Sequence, residues 1–408
     1  MKDNIRKWLI VVTSFLIMGI VFGTCISCMG VYVKPVAADL GISRTAFSLT
    51  ITIGSFSMML SSIAAGKMIS RWNIKFMMLI GVLLCAGSMF LYSVAKSVLL
   101  FYCAAIAMGV SVSLTCNIPI SALIKEWFDK NRQGLAIGIA FAGSGAGAMV
   151  LNPLYTHVIE TSGWNHSFQL AAMMMIILLV PLILLSVNRR KTEAISVGND
   201  VIQSAGQDII TLSDALKMKS TWWVFIAFIL IGLTNMAIVN HGVPFLTDAG
   251  FSGIYAAKII SIGSGLLILG KIALGKMIDK IGIFKSIIIA MSLFLICSLS
   301  FWCGGILQMK SLLILFTLLY AVGGAVATVA MPCVVMHMYG KCDFESIMGF
   351  FTMTAGLGGI LQIVFSLIYD NTNSYNVAWA LIALLVAAAI VMVKNNVKPQ
   401  KKLIIIKG

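Results

Sequence analysis

Long uncharged stretches set the strongest limit on what this chain can fold into. Eleven windows of twenty or more residues contain no Asp, Glu, Lys or Arg. Where a twelfth would be expected, between Lys258 and Lys276, a single lysine, Lys271, interrupts it. A helix needs roughly 20 apolar residues to cross the hydrocarbon core of a bilayer. The pattern therefore predicts twelve membrane-spanning helices, one of which carries a charge.

The composition excludes a soluble globular protein. Of the 408 residues, 60% are hydrophobic and 11% are charged, whereas ordinary soluble domains carry about 25% charged residues. The first apolar stretch, residues 8–33, is too long for the 7–15-residue core of a cleavable signal peptide. We therefore expect an all-α membrane protein whose first helix is retained.

The predicted spans are joined mostly by short connections. They cover residues 8–33, 45–66, 76–95, 97–124, 133–157, 164–188, 220–247, 254–276, 286–309, 311–338, 346–369 and 375–393. One longer polar stretch divides them six and six. We therefore predict an N-terminal six-helix half at 1–188, a cytoplasmic linker at 189–219, a C-terminal six-helix half at 220–395 and a basic cytoplasmic tail at 396–408.

The net charge of +15 follows the predicted topology and does not indicate nucleic-acid binding. Of the 29 Lys and Arg residues, 23 fall on one side of the membrane if the N-terminus is cytoplasmic. The five on the other side are Lys34, Arg44, Lys96, Lys258 and Lys310. Positive charge is enriched on the cytoplasmic side of membrane proteins. We therefore expect a multi-pass protein of the cell (plasma) membrane with both termini in the cytoplasm.

Two sequence patterns repeat between the halves. Residues 66–71 read GKMISR and residues 275–280 read GKMIDK, at an offset of 209. The spacing Gly-x6-Gly-x-Gly begins at Gly138 and again at Gly349, at an offset of 211. Parallel repeats of six helices, with the substrate near the midplane between them, are one architecture of secondary transporters. The repeats therefore predict such an architecture here.

Five segments resemble parts of the major facilitator superfamily. The two repeated segments look like its Gly-x-x-x-Asp-Arg/Lys-x-Gly loop. Residues 126–147, EWFDKNRQGLAIGIAFAGSGAG, are similar to a stretch of its monocarboxylate transporter and oxalate/formate antiporter branches. Residues 241–252 (HGVPFLTDAGFS) and 369–375 (YDNTNSY) resemble loops of bacterial monocarboxylate-type carriers. On these residues the chain is identified as a member of that superfamily.

The resemblance implies a site for a carboxylate. In this branch a basic residue four positions before the glycine of the span-eight loop binds the substrate carboxylate, and that position is Lys271 here, where the family usually has Arg. Lys lacks the planar two-pronged grip of Arg, so affinity or selectivity should differ. Leu267 stands where animal-type members place an acid for proton coupling, and residues 349–369 lack the second lysine of the oxalate carriers.

The position of Lys271 points to binding independently of the resemblance. A lysine at the centre of a membrane helix costs roughly 2.5–3.5 kcal/mol on insertion scales, and such residues usually serve function. The neighbouring Gly263, Ser264, Gly265 and Gly270 form a small-residue face that suits helix contact or an aqueous cavity. Snorkelling to the interface and a role in a gate are the alternatives.

Other polar residues in the spans are candidates for the substrate path. Asn117 and Asn235 carry amides near the predicted midplane, and such groups need hydrogen bonds that lipid does not supply. Some amides of this kind only tie helices together. Thr24 and Ser27 in the first span offer hydroxyl donors for a carboxylate. His241 titrates in the physiological range and is the candidate for proton coupling, with a hydrogen bond at the outer edge as the alternative.

The repeated loops suggest a cytoplasmic gate. Gly66 and Gly275 permit close helix packing, and charged neighbours can form ion pairs or helix-end contacts that hold the cytoplasmic side shut. The charged gate candidates are Arg71, Arg132, Asp279 and Lys280. Ser70 replaces the acid in the first copy, so that half of the gate should be weaker. Ordinary anchoring by positive residues explains the same charges without a gate.

The sequence predicts a transporter and not an enzyme. It contains no phosphate-binding loop and no HExxH pattern. Cys25 and Cys28 lie in an apolar helix without companion ligands, so we predict neither a metal nor a cofactor. We expect a secondary active transporter of a small monocarboxylate such as formate, acetate, lactate or pyruvate, working by alternating access as proton symport or anion exchange.

Its expected partners are a small organic anion, a proton or counter-anion and the lipid bilayer. The alternative is a carrier of an apolar or zwitterionic compound with Lys271 in the cytoplasmic gate. A non-transporting membrane sensor is a third interpretation, which would call for a large soluble output domain.

Overall fold

Helices make up nearly all of the described part of the chain. The computed structural model describes residues 2–187, 210–361, 363–372 and 374–399, and it contains no strand within these ranges. Eleven of the described helices are long and apolar enough to cross a membrane. The remaining predicted span, 346–369, is covered by two helical segments on either side of residue 362. The prediction of an all-α membrane protein is confirmed.

The described residues form twelve spans, which we label α1 to α12. Their bounds are α1 Ile5–Ser27, α2 Arg44–Arg71, α3 Ile74–Val94, α4 Val98–Trp127, α5 Gln133–Ser162, α6 Trp164–Ser186, α7 Lys219–Asp248, α8 Gly253–Ile281, α9 Ile283–Ile306, α10 Lys310–Tyr339, α11 Phe344–Leu361 with Ile363–Thr372, and α12 Asn376–Asn396. We call α1 to α6 the N-terminal group and α7 to α12 the C-terminal group.

The side on which α1 begins and α12 ends is called the inner face, and the opposite side the outer face. Residues 188–209 and 400–408, which include most of the predicted linker and tail, lie outside the described residues. The proposed domain boundaries therefore stay predictions.

The first span differs from its prediction. It was expected to run to residue 33, but α1 ends at Ser27 and a separate short helix, Val33–Leu40, follows on the outer face. The outer part of α1, Met18–Ser27, is a π-helix. The apolar window is continuous in the sequence, so residue type alone did not reveal where the helix would change its winding.

A third repeat, which our reading of the sequence missed, organises the outer face. Residues 35–43 and 244–252 share the pattern Pro-x-x-x-Asp-x-Gly-x-Ser at an offset of 209. Gly41 and Gly250 have positive φ angles of 64° and 93°, which glycine adopts without strain. Ser43 and Ser252 then cap the following helices, each by accepting a backbone N–H bond. The same turn therefore leads into α2 and α8.

The spans α4 and α10 are irregular at equivalent depths. In α4 the helix breaks at Cys116, three residues before Pro119, and in α10 a π-helical turn covers Val326–Ala330, just before Pro332. Proline lacks an N–H and collides with the carbonyl four residues earlier, so both irregularities have a local cause. Irregular backbone at membrane depth is tolerated where it lies inside protein or lines a cavity.

Two helix pairs, α5 with α8 and α2 with α11, join the groups, and glycines bring their backbones together. A Cβ atom added to Gly134 would lie 2.5 Å from the carbonyl oxygen of Gly275, and one on Gly138 would collide with the carbonyl oxygen of Lys271. About two turns farther out on α5, a Cβ on Gly145 would lie 2.8 Å from the side chain of Ile268. At Gly134 and Gly138 the two helices therefore touch backbone to backbone, without intervening side chains.

The second pair repeats these contacts in register. A Cβ on Gly66 would collide with the carbonyl oxygen of Glu345, and one on Gly349 with that of Ser62. The two offsets of the sequence repeat relate the two pairs. Each α8 residue corresponds to the α2 residue 209 positions earlier, and each α5 residue corresponds to the α11 residue 211 positions later. All of these contacts lie between the inner face and the middle of the helices. The described structure is thus packed shut toward its inner face.

We predict that alanine substitution at two glycines of α8 has different effects on stability. Gly275→Ala should lower the melting temperature of the purified protein, because its new methyl group would collide with the backbone of Gly134. Overpacking of this kind costs about 1–3 kcal/mol. Gly265→Ala is the matched control, since no atom lies within 4 Å of an added Cβ there. Equal changes in melting temperature would contradict the backbone contact.

Candidate functional site

Lys271 lies on α8 at the junction with α5, and 4% of its surface is exposed. Its Nζ donates a hydrogen bond to the carbonyl oxygen of Phe141, at 3.0 Å, and another to the hydroxyl of Ser144, at 2.7 Å. Both acceptors belong to α5, in the opposite helix group. The ammonium group points across the interface and not outward into lipid, so it does not snorkel in this structure.

The charge of Lys271 has no ionic partner among the described residues. Its two acceptors are neutral, and the buried salt bridge at the inner face joins two other residues, Lys125 and Glu345. Removing a charge from water costs several kcal/mol unless an opposite charge and further hydrogen bonds compensate. The interface therefore holds a positive charge that is hydrogen-bonded but not neutralised.

The two amide candidates lie at different kinds of position. Asn235 is half-buried in α7; its side-chain N–H donates to the carbonyl oxygen of Ile231, and its side-chain oxygen accepts a bond from the Tyr320 hydroxyl, both at 3.1 Å. It thus links α7 to α10 within one group. Asn117 is half-buried at the start of the second helical segment of α4, directly after the break at Cys116.

The hydroxyl candidates of α1 differ in accessibility. Thr24 is fully buried, and its hydroxyl is 2.7 Å from the hydroxyl of Tyr155 on α5, within the N-terminal group. Ser27, at the end of α1, is exposed. The structure therefore does not bring either of them into contact with Lys271, and their role as substrate ligands stays a prediction.

His241 lies near the outer end of α7 in an aromatic environment. Its ring stacks on Phe365 at a centroid distance of 5.5 Å and lies 5.8 Å from the ring of Tyr375. Tyr375 in turn stacks on Tyr369. The histidine is half-buried and remote in sequence and depth from the inner contacts. Its part in proton coupling also stays a prediction.

Asp279 joins the two groups at the inner face. Its two carboxylate oxygens accept the backbone N–H bonds of Gly134 and Leu135, each at 2.7 Å. These N–H groups belong to the first turn of α5, where helices leave unpaired donors and a partial positive charge. Asp279 therefore caps a helix of the opposite group, and the small size of Gly134 and Gly275 lets it come that close.

The other charged gate candidates lie at the surface. Arg71 at the end of α2, Arg132 in the turn before α5 and Lys280 at the end of α8 are exposed, and none of them forms an ion pair with a described residue. Gly66 is buried against the first turn of α11. The side chain of Ser70 is not described.

A buried ion pair at the inner face was missed by our reading of the sequence. Lys125 at the end of α4 lies 2.7 Å from a carboxylate oxygen of Glu345 in the first turn of α11. Its Nζ also donates to the carbonyl oxygen of Lys341 and lies 4.6 Å from the ring centre of Phe344. The repeat register carried a usable signal, since it places Glu345 beside Gly66 as it places Gly134 beside Gly275.

Comparison with known proteins agrees with this architecture. A family model described as the Major Facilitator Superfamily matches residues 15–363. The chain belongs to this superfamily. Its members are transporters of small substrates and not enzymes, as the sequence predicted.

Named relatives are distant. The chain is 25% identical over 281 residues to the MFS-type transporter pytF of Aspergillus terreus, covering 68% of this chain and 90% of that one. It is 22% identical over 332 residues to human Monocarboxylate transporter 12, covering 74% and 63%. The crystal structure of a single-residue variant of the Escherichia coli fucose:proton symporter FucP superposes with a TM-score of 0.72 at 15% identity over 97% and 99% of the two chains.

We predict strong coupling between Lys125 and Glu345. Lys125→Ala or Glu345→Ala alone should destabilise the described arrangement by about 3 kcal/mol, because each leaves a buried charge unpaired. The double substitution should cost less than the sum of the two, which a double-mutant cycle on thermal unfolding would measure. Lys276→Ala, at an exposed position of α8, is the control. Additive effects would show that the pair is not coupled.

The helix cap formed by Asp279 gives another prediction. Asp279→Ala should lower the free energy of unfolding by about 1–2 kcal/mol, because two backbone donors of α5 lose their acceptors. Asp279→Asn keeps one acceptor oxygen and should cost less. Asp248→Ala removes an exposed carboxylate at the outer end of α7 and should have little effect. If Asp279→Ala and Asp248→Ala shift the melting temperature equally, the cap contributes nothing.

Proposed function

We propose that this carrier moves a small monocarboxylate across the membrane by alternating access and binds its carboxylate at Lys271. The observation that supports this most strongly is the uncompensated positive charge between α5 and α8. An organic anion would supply the missing opposite charge, and it would do so at the junction of the two helix groups. A ligand at that place can favour one relative arrangement of the groups over another.

The number of charges favours a monoanion. Lys271 is the one cation in the middle of α8, and the corresponding position of α2, at the offset of 209, is the neutral Ser62. A dianion bound at a single lysine would bring an unpaired negative charge into a region of low dielectric constant, which is costly. The distant relationship to Monocarboxylate transporter 12 supports the same substrate class.

Coupling is proposed as either proton symport or anion exchange. Leu267, four positions before Lys271, cannot carry a proton, and His241 lies near the outer end of α7. Accumulation of the acid driven by an imposed pH gradient would favour symport, whereas uptake that depends on internal anion would favour exchange.

For the orientation we propose a plasma-membrane protein whose inner face is cytoplasmic, since most basic residues lie on that face. A reporter that matures only in the cytoplasm, fused to the C-terminus, would test this. A second fusion to a reporter that is active only outside the cytoplasm should then be silent, and the opposite pattern would reverse the topology.

A second candidate function is favoured by one observation, that both hydrogen bonds of Lys271 go to α5. They resemble the contacts of a gate, and a carrier of an apolar or zwitterionic compound could use the lysine only in that way. In such a carrier the lysine would hold the inner face shut without touching the substrate. Transport would then not depend on binding of the substrate by the charge of Lys271.

We predict that Lys271→Gln lowers uptake of the transported acid by at least about thirtyfold, since losing one partner of a buried charge pair costs ~2–5 kcal/mol. Uptake of radiolabelled formate, acetate, lactate and pyruvate into proteoliposomes is the measurement. Lys271→Arg keeps the charge and should retain part of the activity. Each variant must be present in the membrane in equal amount.

Two results would contradict the proposal. One is wild-type transport of an acid by Lys271→Gln, which would place the carboxylate elsewhere. The other is the absence of uptake for every acid of the panel, together with transport of an apolar or zwitterionic compound, which would favour the second function.

A further inference from the structure

We infer that Ser144 of α5 is a second ligand of the carboxylate, so that one bound anion bridges the two helix groups. The inference rests on the proposed function, because it takes Lys271 as the first ligand. It adds a residue from the opposite group that neither the sequence patterns nor the resemblance indicated. The ligand class is an organic monocarboxylate.

The geometry places two donors together. The Nζ of Lys271 and the hydroxyl oxygen of Ser144 are 2.7 Å apart, and both residues are buried, with 4% and 6% of their surfaces exposed. A carboxylate has two oxygens, each with lone pairs that accept hydrogen bonds. Two donors at this spacing can therefore bind one carboxylate together, and charge-assisted bonds of this kind are strong.

Each donor has a proton to offer. The ammonium group has three N–H bonds, of which the Phe141 carbonyl and the Ser144 hydroxyl accept two. The Ser144 hydroxyl donates to the carbonyl oxygen of Phe141, three residues earlier in the same helix, at 2.9 Å. Rotation about its Cβ–Oγ bond would redirect this proton to an incoming anion while the hydroxyl oxygen still accepts from Lys271.

The carbonyl oxygen of Phe141 on α5 therefore accepts the hydrogen bonds that a bound anion would accept. In the described arrangement the Phe141 carbonyl receives bonds from both Lys271 and Ser144. A carboxylate carries a full negative charge where this carbonyl carries only a partial one, so both donors gain by the exchange. The anion would then connect α8 to α5 through its own oxygens.

The internal repeat indicates that helix packing alone does not explain the contact between Lys271 and Ser144. At the offsets that relate the two interfaces, Lys271 corresponds to Ser62 of α2 and Ser144 corresponds to Ala355 of α11. Ser62 is buried and bonds to the carbonyl of Met59 in its own helix. Lys271 and Ser144 thus both differ in type from the equivalent residues of the other interface, and they contact each other. Packing alone requires neither departure, since the α2–α11 interface closes without them.

Thermal stabilisation by ligand tests the inference on purified protein. Formate, acetate, lactate and pyruvate are titrated against wild type and Ser144→Ala, and the acid concentration giving half of the maximal shift is recorded. We expect about a tenfold higher concentration for Ser144→Ala, because hydrogen bonds to charged groups exceed neutral ones in strength. Ser144→Thr keeps a hydroxyl and should stay near wild type.

The matched control is Ser62→Ala, the same substitution at the equivalent depth of the other interface. It should leave the half-maximal concentration unchanged. Acetamide, the uncharged analogue of acetate, should stabilise no variant. In transport assays Ser144→Ala should raise KM by the same factor as it raises the half-maximal concentration, whereas a purely structural defect would lower the maximal rate or the amount of folded protein.

The outcomes separate the inference from the function on which it rests. If Lys271→Gln abolishes stabilisation and Ser144→Ala binds the acid as wild type does, Ser144 is not a ligand and the proposed function stands. If Lys271→Gln binds as well as wild type, or no acid of the panel stabilises wild type, both fail. Equal weakening by Ser144→Ala and Ser62→Ala would also overturn the inference, since it would indicate a general packing defect.

Discussion

Close approach of the α5 and α8 backbones is the constraint on which the site depends. Gly138 faces the carbonyl of Lys271, and Gly134 faces Gly275, so that no side chains separate the two helices. Only at this separation can the lysine ammonium reach the carbonyl of Phe141 in the opposite group. A larger residue at these positions would push the helices apart and leave the charge without acceptors. Packing therefore sets the electrostatics of the interface.

The two interfaces between the helix groups share one register but differ in their polar chemistry. In the α5–α8 pair, Asp279 caps the opposite helix and Lys271 adds a charge without an ionic partner among the described residues. Beside the α2–α11 pair, Lys125 and Glu345 neutralise each other. A neutralised pair can hold the inner face shut, whereas an uncompensated charge can also respond to a ligand. The asymmetry favours a substrate site at one of two otherwise related interfaces.

Sequence reasoning succeeded where a single physical requirement decides the outcome. Membrane thickness demands apolar windows, and these predicted the spans, although the end of the first span was wrong. Prediction from the sequence was weaker where the contacts of a side chain depend on residues far away in the chain. Arg71 and Lys280 looked equal to Asp279 in the repeated loops, yet they are exposed while Asp279 reaches a helix end. The buried hydroxyl of Thr24 likewise contacts Tyr155, which no local pattern announces.

The sequence by itself determined the helical membrane class, the repeated halves and the unusual position of Lys271, because each follows from the cost of placing polar groups in hydrocarbon. Only the tertiary structure decided what that lysine faces. Its neighbours Phe141 and Ser144 lie about 130 residues away in the chain. Their contact depends on how two glycine-bearing helices pack, and that packing is a property of the whole assembly and not of either segment.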